Sequence, residues 1–228
     1  MSATFVEPGY EHLVELVHQR DADARRRLAS LDITLRAADG KPLATCPVDT
    51  GQEILDLAAL VGDAGHGSGR VMAVFDARYD QRIFPYRPHH YGYLHRTGSD
   101  EPAIYYAVSA ALGGVPDRIE ARRLTNFETY VFSPRPFSER YSLLLGNLAR
   151  FAPVQARVTA YYGDASVVRE LELVPGGHAE VALPSEHETR RLDRVDLKAL
   201  FRLAGYVVGR RAGSGGLVLF DHLFTYFK

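Results

Sequence analysis

From Gly69 onward this chain is built of short runs that recur about every ten residues, and that recurrence is the strongest limit on its fold. "RVMAVFDA", "HHYGYLHR", "AIYYAVSA", "RIEARRL", "NFETYVF", "RYSLLLGN", "VQARVTAYYG", "SVVRELELV" and "HAEVALP" are short, most are bounded by Gly, Pro, Asp or Ser, and the set is rich in Val, Tyr and Phe. Runs this short and close leave no room for the helical crossovers that parallel strands need. They predict a mainly-β, antiparallel β-sandwich. With 228 residues the chain is long enough for one continuous domain or for two packed β-modules.

Upstream, "DITLRAADGKPLATCPV" reads as a hairpin. Ile33, Leu35 and Ala37 alternate, Asp39-Gly40 turns the chain, and Ala44, Cys46 and Val48 alternate again. Pro42 and Pro47 mark the second arm as an edge strand, because proline cannot donate to a ladder. Three stretches depart from the β pattern. Pro8 to Ser30 predicts an N-terminal α-helix, with Leu13, Leu16 and Val17 on one face and Pro8 in the first turn. "EILDLAALVG" fits a short helix or a capped loop. "SEHETRRLDRVDLKALFRLAG" places Leu197, Leu200, Phe201 and Leu203 at helix-like spacing, which predicts a short helix or an irregular crossover. The expected division is a helix over 1–30, a first β-module over 31–133 and a second over 134–228, split near Pro134. "VFDARY" (74–79) and "LFDHLF" (219–224) share an apolar-Phe-Asp start after a Gly-rich loop, an echo that related modules or chance would equally produce.

Within the second module, Tyr141 to Pro184 carries an Asn after an apolar strand (Asn147), a β-pair containing Tyr161, the turn Pro175-Gly176-Gly177, and a strand around Val181. This pattern resembles bacterial immunoglobulin-like sandwich domains. The resemblance covers about a fifth of the chain. It implies a fold and transfers no functional residue.

Composition excludes several classes. The formal net charge is −1, so no global field draws the chain to nucleic acid or to an acidic membrane. No apolar run is long enough for a membrane-spanning helix, and the first residues lack the basic and apolar regions of a signal peptide. The expectation is a cytoplasmic bacterial protein. The single Cys46 cannot form an intrachain disulfide and has no neighbouring His to activate it. Only Lys41, Lys198 and Lys228 of the 27 basic residues are lysine, leaving 24 arginines spread along the chain.

The densest chemistry lies in "FPYRPHHYGYLHRTGSDE" (84–101). On a strand, His89, Tyr91, Tyr93 and His95 point one way and His90, Gly92 and Leu94 the other. The first set is an aromatic and imidazole stripe suited to a ligand or a partner. The competing reading is a metal box of the kind that cupins carry, in which His90, His95 and Glu101 hold a divalent transition metal. The H-x-H spacing of that pattern is missing, and alternation separates His90 from His95. "GDAGHGSGR" lacks the Lys-Ser/Thr ending and the following helix of a phosphate loop. Asp221 and His222 are adjacent on a strand, so they are expected to face opposite ways rather than to pair. Arg135, in the proline-stiffened loop "SPRPFSER", is a further candidate for partner contact.

These features favour a non-catalytic binding or scaffolding module that contacts another protein through His89, Tyr91, Tyr93, His95 and Arg135, with no cofactor and no nucleic acid. The alternatives are a cupin-like metal-dependent enzyme acting on a small molecule, and a carbohydrate-binding sandwich that uses Tyr91 and Tyr93 as stacking platforms.

Overall fold

The computed structural model describes residues 1–16, 26–66, 69–80, 90–110, 126–132, 140–184, 186–187, 190–200 and 202–225. The chain forms two compact units, Met1–Ala110 and Ala111–Lys228. The split expected near Pro134 lies outside the described residues. Asn126–Val131 on its N-terminal side pairs with strands of the second unit.

The first unit contains β1 (Ser2–Val6), β2 (Tyr10–Glu15), β3 (Leu28–Arg36), β4 (Pro42–Val48), β5 (Ile54–Asp56), helix α1 (Leu57–Asp63), β6 (Val71–Tyr79), β7 (Tyr91–Arg96), β8 (Ile104–Ala107) and β9 (Ser109–Ala110). They form a five-stranded sheet ordered β4-β3-β6-β1-β9 and a four-stranded sheet ordered β5-β2-β7-β8. All pairings are antiparallel. The Asp39-Gly40 hairpin is present, with Gly40 at φ 83°, and proline-bearing β4 is the edge of its sheet. Asp56 caps α1 by accepting from the Ala59 N–H at 3.0 Å.

The N-terminal helix is a misreading over its first half and its last residues, with only Arg26 and Arg27 helical among the described residues of 8–30. Its first half is β2, which follows a turn at Gly9, where φ is 77°. Residues 17–25 lie outside the described set, and β3 begins at Leu28. His12, Val14 and Leu16 are buried, while Glu11, Leu13 and Glu15 lie on the other face. A polar His on the inner face and an apolar Leu13 on the outer one disguise a period of two as a helical spacing.

The second unit contains β10 (Asn126–Val131), β11 (Arg140–Gly146), β12 (Val154–Tyr162), β13 (Ala165–Leu173), β14 (His178–Leu183), a small hairpin of β15 (Glu186–His187) and β16 (Arg190–Arg191), then β17 (Arg194–Ala199), β18 (Ala204–Arg210), β19 (Leu217–His222) and β20 (Phe224–Thr225). Its larger sheets are ordered β13-β12-β17-β10-β20 and β14-β11-β18-β19. One core joins them: inner positions of the first sheet such as Ala156, Val158 and Leu197 pack with Leu143, Leu145, Val207 and Leu219 of the second. The helix or crossover expected around Leu197 is instead β17, in the middle of its sheet. Val195, Leu197 and Ala199 fill the core at period two.

The two units share one frame. Taken in chain order, each alternates between its two sheets in the same sequence, and the lateral strand orders coincide when β1–β9 are matched to β10–β14 and β17–β20. Helix α1 and the β15–β16 hairpin occupy the same connection. The registers agree as well. Aligning Gly92 with Gly205 matches Val14 with Leu145 and Tyr106 with Leu223. Two residues on, Val108 is level with Thr4, because Ser109 pairs with Ala3. Thr225 pairs with Glu128, so Thr4 and Glu128 are equivalent. The Leu16 N–H donates to Glu53 O at 2.8 Å, and the Asn147 N–H donates to Gly177 O at the same distance. The "VFDARY" and "LFDHLF" echo does not carry this repeat: the first lies on β6, whose counterpart is β17, and the second spans β19 and β20.

The strands expected from Tyr141 to Pro184 are β11 to β14, with the turn at Gly176 in the left-handed region at φ 68°. Asn147 is fully buried behind β11. Its Nδ2 donates to the carbonyls of Ala152, Leu173 and Val174 at 2.9–3.1 Å, and its Oδ1 accepts from the Ala149 N–H at 2.9 Å. One side chain thereby ties two loops that strand pairing does not connect. Asn147→Ala would leave several buried backbone groups unpaired and should lower stability by about 2–4 kcal/mol. Urea unfolding should show a lower midpoint with an unchanged slope.

Candidate functional site

Burial along β7 alternates: His90, Gly92 and Leu94 face the core, while Tyr91, Tyr93 and His95 face outward. The structure therefore places His90 and His95 on opposite sides of the strand. His90 packs against Phe75 of the five-stranded sheet, with ring centroids 5.2 Å apart. His95 Nδ1 lies 3.6 Å from Glu11 Oε2, directly across the ladder. Glu101 lies beyond the strand, 3.5 Å from Arg96 Nη1. Among the described residues no three His, Cys, Asp or Glu side chains come together as metal ligands. His89 and Arg135 lie outside the described residues.

The outward residues form an aromatic face on the four-stranded sheet. Leu13, Tyr93 and Tyr105 stand side by side on β2, β7 and β8. Glu15 and Tyr91 flank this row on one side, Glu11 and His95 on the other. The Tyr91 and Tyr105 rings stack at 5.4 Å with an interplanar angle of 9°, and Tyr93 lies 6.5 Å from His95. Tyr93 is 38% exposed and Tyr105 61%. The sequence pattern identified Tyr91, Tyr93 and His95. It missed Tyr105, Leu13, Glu11 and Glu15, which reach this face only through strand pairing. The equivalent face of the second unit has a different character: Leu144 and Tyr206, the counterparts of Leu13 and Tyr93, and Val208, the counterpart of His95, are fully buried, and His222, the counterpart of Tyr105, is partly buried.

Beneath this face lies a polar cluster that the sequence did not announce. Gly92 sits opposite Tyr106 on β8, and a Cβ at Gly92 would collide with the Tyr106 ring. Without one, the ring crosses over β7. Its hydroxyl reaches His12 Nε2 on β2 and Thr4 Oγ1 on β1, each at 2.6 Å. One proton order has Thr4 donating to Tyr106 and Tyr106 donating to a neutral His12; the reverse order starts from the His12 Nε2–H. The trio joins the two sheets of the unit. Thr4 and His12 are fully buried and Tyr106 nearly so, so the cluster offers a substrate no access, despite holding a hydroxyl next to an imidazole. The readable signal was Gly92 itself, since a lone glycine inside a strand often marks a close approach.

In the second unit the position of Thr4 is taken by Glu128, whose Oε1 lies 3.1 Å from Arg202 Nε; both side chains are largely buried. Leu223 covers Gly205 as Tyr106 covers Gly92, with its Cδ1 2.7 Å from where a Cβ would stand. Asp221 and His222 do approach one another, against expectation. The Asp221 carboxylate turns toward the next residue, accepts the His222 backbone N–H at 2.9 Å and lies 3.3 Å from His222 Nδ1.

Burial holds the His12 pKa down, from 6.5 to about 3. A lowered folded-state value means that the unfolded chain binds the proton first. This contribution to stability is complete above pH 6.5 and is lost as the pH falls toward 3. The loss should amount to about 1.4 kcal/mol per pH unit. Leu143 fills the equivalent position in the second unit, which makes His12→Leu the informative variant. Denaturant unfolding across this range should show the wild type losing stability faster than His12→Leu by that slope; parallel curves would contradict the assignment.

No family model, no curated protein and no solved structure matches the chain.

Proposed function

We propose that the chain is a non-catalytic binding module made of two immunoglobulin-like β-sandwich units, and that it contacts a partner protein through the outer face of the first unit's four-stranded sheet. The outward row of Leu13, Tyr93 and Tyr105 carries this reading. Aromatic side chains left in water on a flat sheet contribute little to folding, and they are the residues that anchor interfaces. The second unit adds support. The same frame there has its corresponding face buried, so the exposed face is a property of this copy and not of the architecture.

The enzyme reading draws less from the geometry. The most catalyst-like group, Thr4 with Tyr106 and His12, is sealed in the core, and His90, His95 and Glu101 point apart. The carbohydrate reading relied on Tyr91 and Tyr93 together, and Tyr91 turns one ring face to Tyr105, which leaves Tyr93 without a second platform beside it on β7.

The test compares proteins retained from a lysate of the native host by the wild type and by Tyr93→Ser/Tyr105→Ser, quantified by mass spectrometry. Both substitutions lie on the outer face, so the unfolding midpoint should stay near that of the wild type. The expected result is a protein retained stoichiometrically by the wild type and depleted about tenfold or more with the variant. Identical sets of retained proteins would refute the reading.

A further inference from the structure

We infer that the partner segment received by this face bears arginine: a short stretch of a partner protein whose guanidinium groups lie on the tyrosines and reach the flanking carboxylates. This inference rests on the binding role proposed above and names the chemistry of that role.

Charge is the first argument. Glu11 and Glu15 stand one position above and one below the Leu13, Tyr93 and Tyr105 row on the same face, which places them about 7 Å either side of it. Asp56, across the ladder from Leu13, has its carboxylate engaged as the cap of α1. The cation at the end of β7, Arg96, is held by Glu101. The face thus presents aromatic rings between carboxylates, one of which, Glu11, lies 3.6 Å from His95 Nδ1. A planar cation suits both features, because guanidinium stacks on aromatic faces and pairs with carboxylates in a fork.

The chain already uses this arrangement elsewhere. On the outer face of the second unit's five-stranded sheet, the Arg194 guanidinium lies 4.0 Å over the Tyr161 ring, while its Nε is 3.3 Å from Asp196 Oδ1. Stacking and ion pairing by one arginine are therefore compatible with a Tyr-and-carboxylate sheet surface of this kind.

Size then selects the occupant. Strands of three, six, six and four residues, rising about 3.3 Å per residue and spaced by about 4.8 Å, give a face of about 300 Å². Two copies meeting through it would bury about 600 Å², well under the roughly 1,200–2,000 Å² of stable protein–protein interfaces. A second copy of the chain is a poor occupant on this ground, and a short segment fits.

The test is calorimetric titration of the full chain with three peptides of equal length: one alternating arginine and glycine, its citrulline counterpart and a glutamate–glycine control. The arginine peptide should bind. Its affinity should fall about tenfold or more with Tyr93→Ala/Tyr105→Ala and with Glu11→Gln/Glu15→Gln, and the citrulline peptide should bind about tenfold more weakly. Tyr93→Phe, which keeps the ring, should retain binding and guards against an effect of misfolding. If the citrulline or glutamate peptide binds as well as the arginine peptide and depends on Tyr93 and Tyr105, the arginine assignment is overturned while the binding face stands. If no peptide depends on these tyrosines and the retained proteins are also indifferent to them, both are overturned.

Discussion

A missing side chain organises the first unit. Because Gly92 has no Cβ, the Tyr106 ring can lie across β7 instead of standing beside it. That placement carries the phenol hydroxyl over one strand to His12 and between the sheets to Thr4. Three polar groups that would each be costly to bury alone satisfy one another in the core. The same crossing fixes the register of β2, β7 and β8, since a slip of one residue would bring a side chain under the ring. On the opposite side of those strands, that register sets Leu13, Tyr93 and Tyr105 in a row.

The second unit solves the same packing problem with other chemistry. Leu223 covers Gly205, Leu143 replaces His12, and Glu128 with Arg202 occupies the place of Thr4. Strand order and glycine position persist while the buried polar groups change, as expected where backbone geometry restricts more than side-chain identity does. The outer faces diverge further. One is largely buried and the other exposes tyrosine between carboxylates, so the units differ most outside their shared core.

Much of the strand content was legible. The Asp39-Gly40 hairpin, the proline-marked edge and the alternation of Tyr91, Gly92 and Tyr93 follow from local rules, and the structure places them as those rules require. The errors share a physical origin. β2 turns His12 inward and Leu13 outward, while at β17 the apolar spacing runs past the strand's end at Ala199 into Leu200 and Leu203; in strands this short either suffices to blur a period of two. The repeat was hidden because few residues carry it: along β7 and β18 the visible match is Gly92-Tyr93-Leu94 against Gly205-Tyr206-Val207. The remainder of the frame is held by pairing between strands far apart in sequence. The aromatic face was half legible for the same reason. β7 announced its own side chains, whereas Tyr105, Glu11 and Glu15 join it only through the ladder.

The close approach of Tyr106 to Gly92 is open to direct measurement. Native-state hydrogen exchange on Gly92→Ala would report the stability of β1, β2, β7 and β8 strand by strand. A methyl group there must displace the ring and break its hydrogen bonds to His12 and Thr4. The amides of these strands should therefore lose protection equivalent to about 3 kcal/mol or more. Unchanged protection would mean that Tyr106 does not cross β7, and would contradict the account of the first unit.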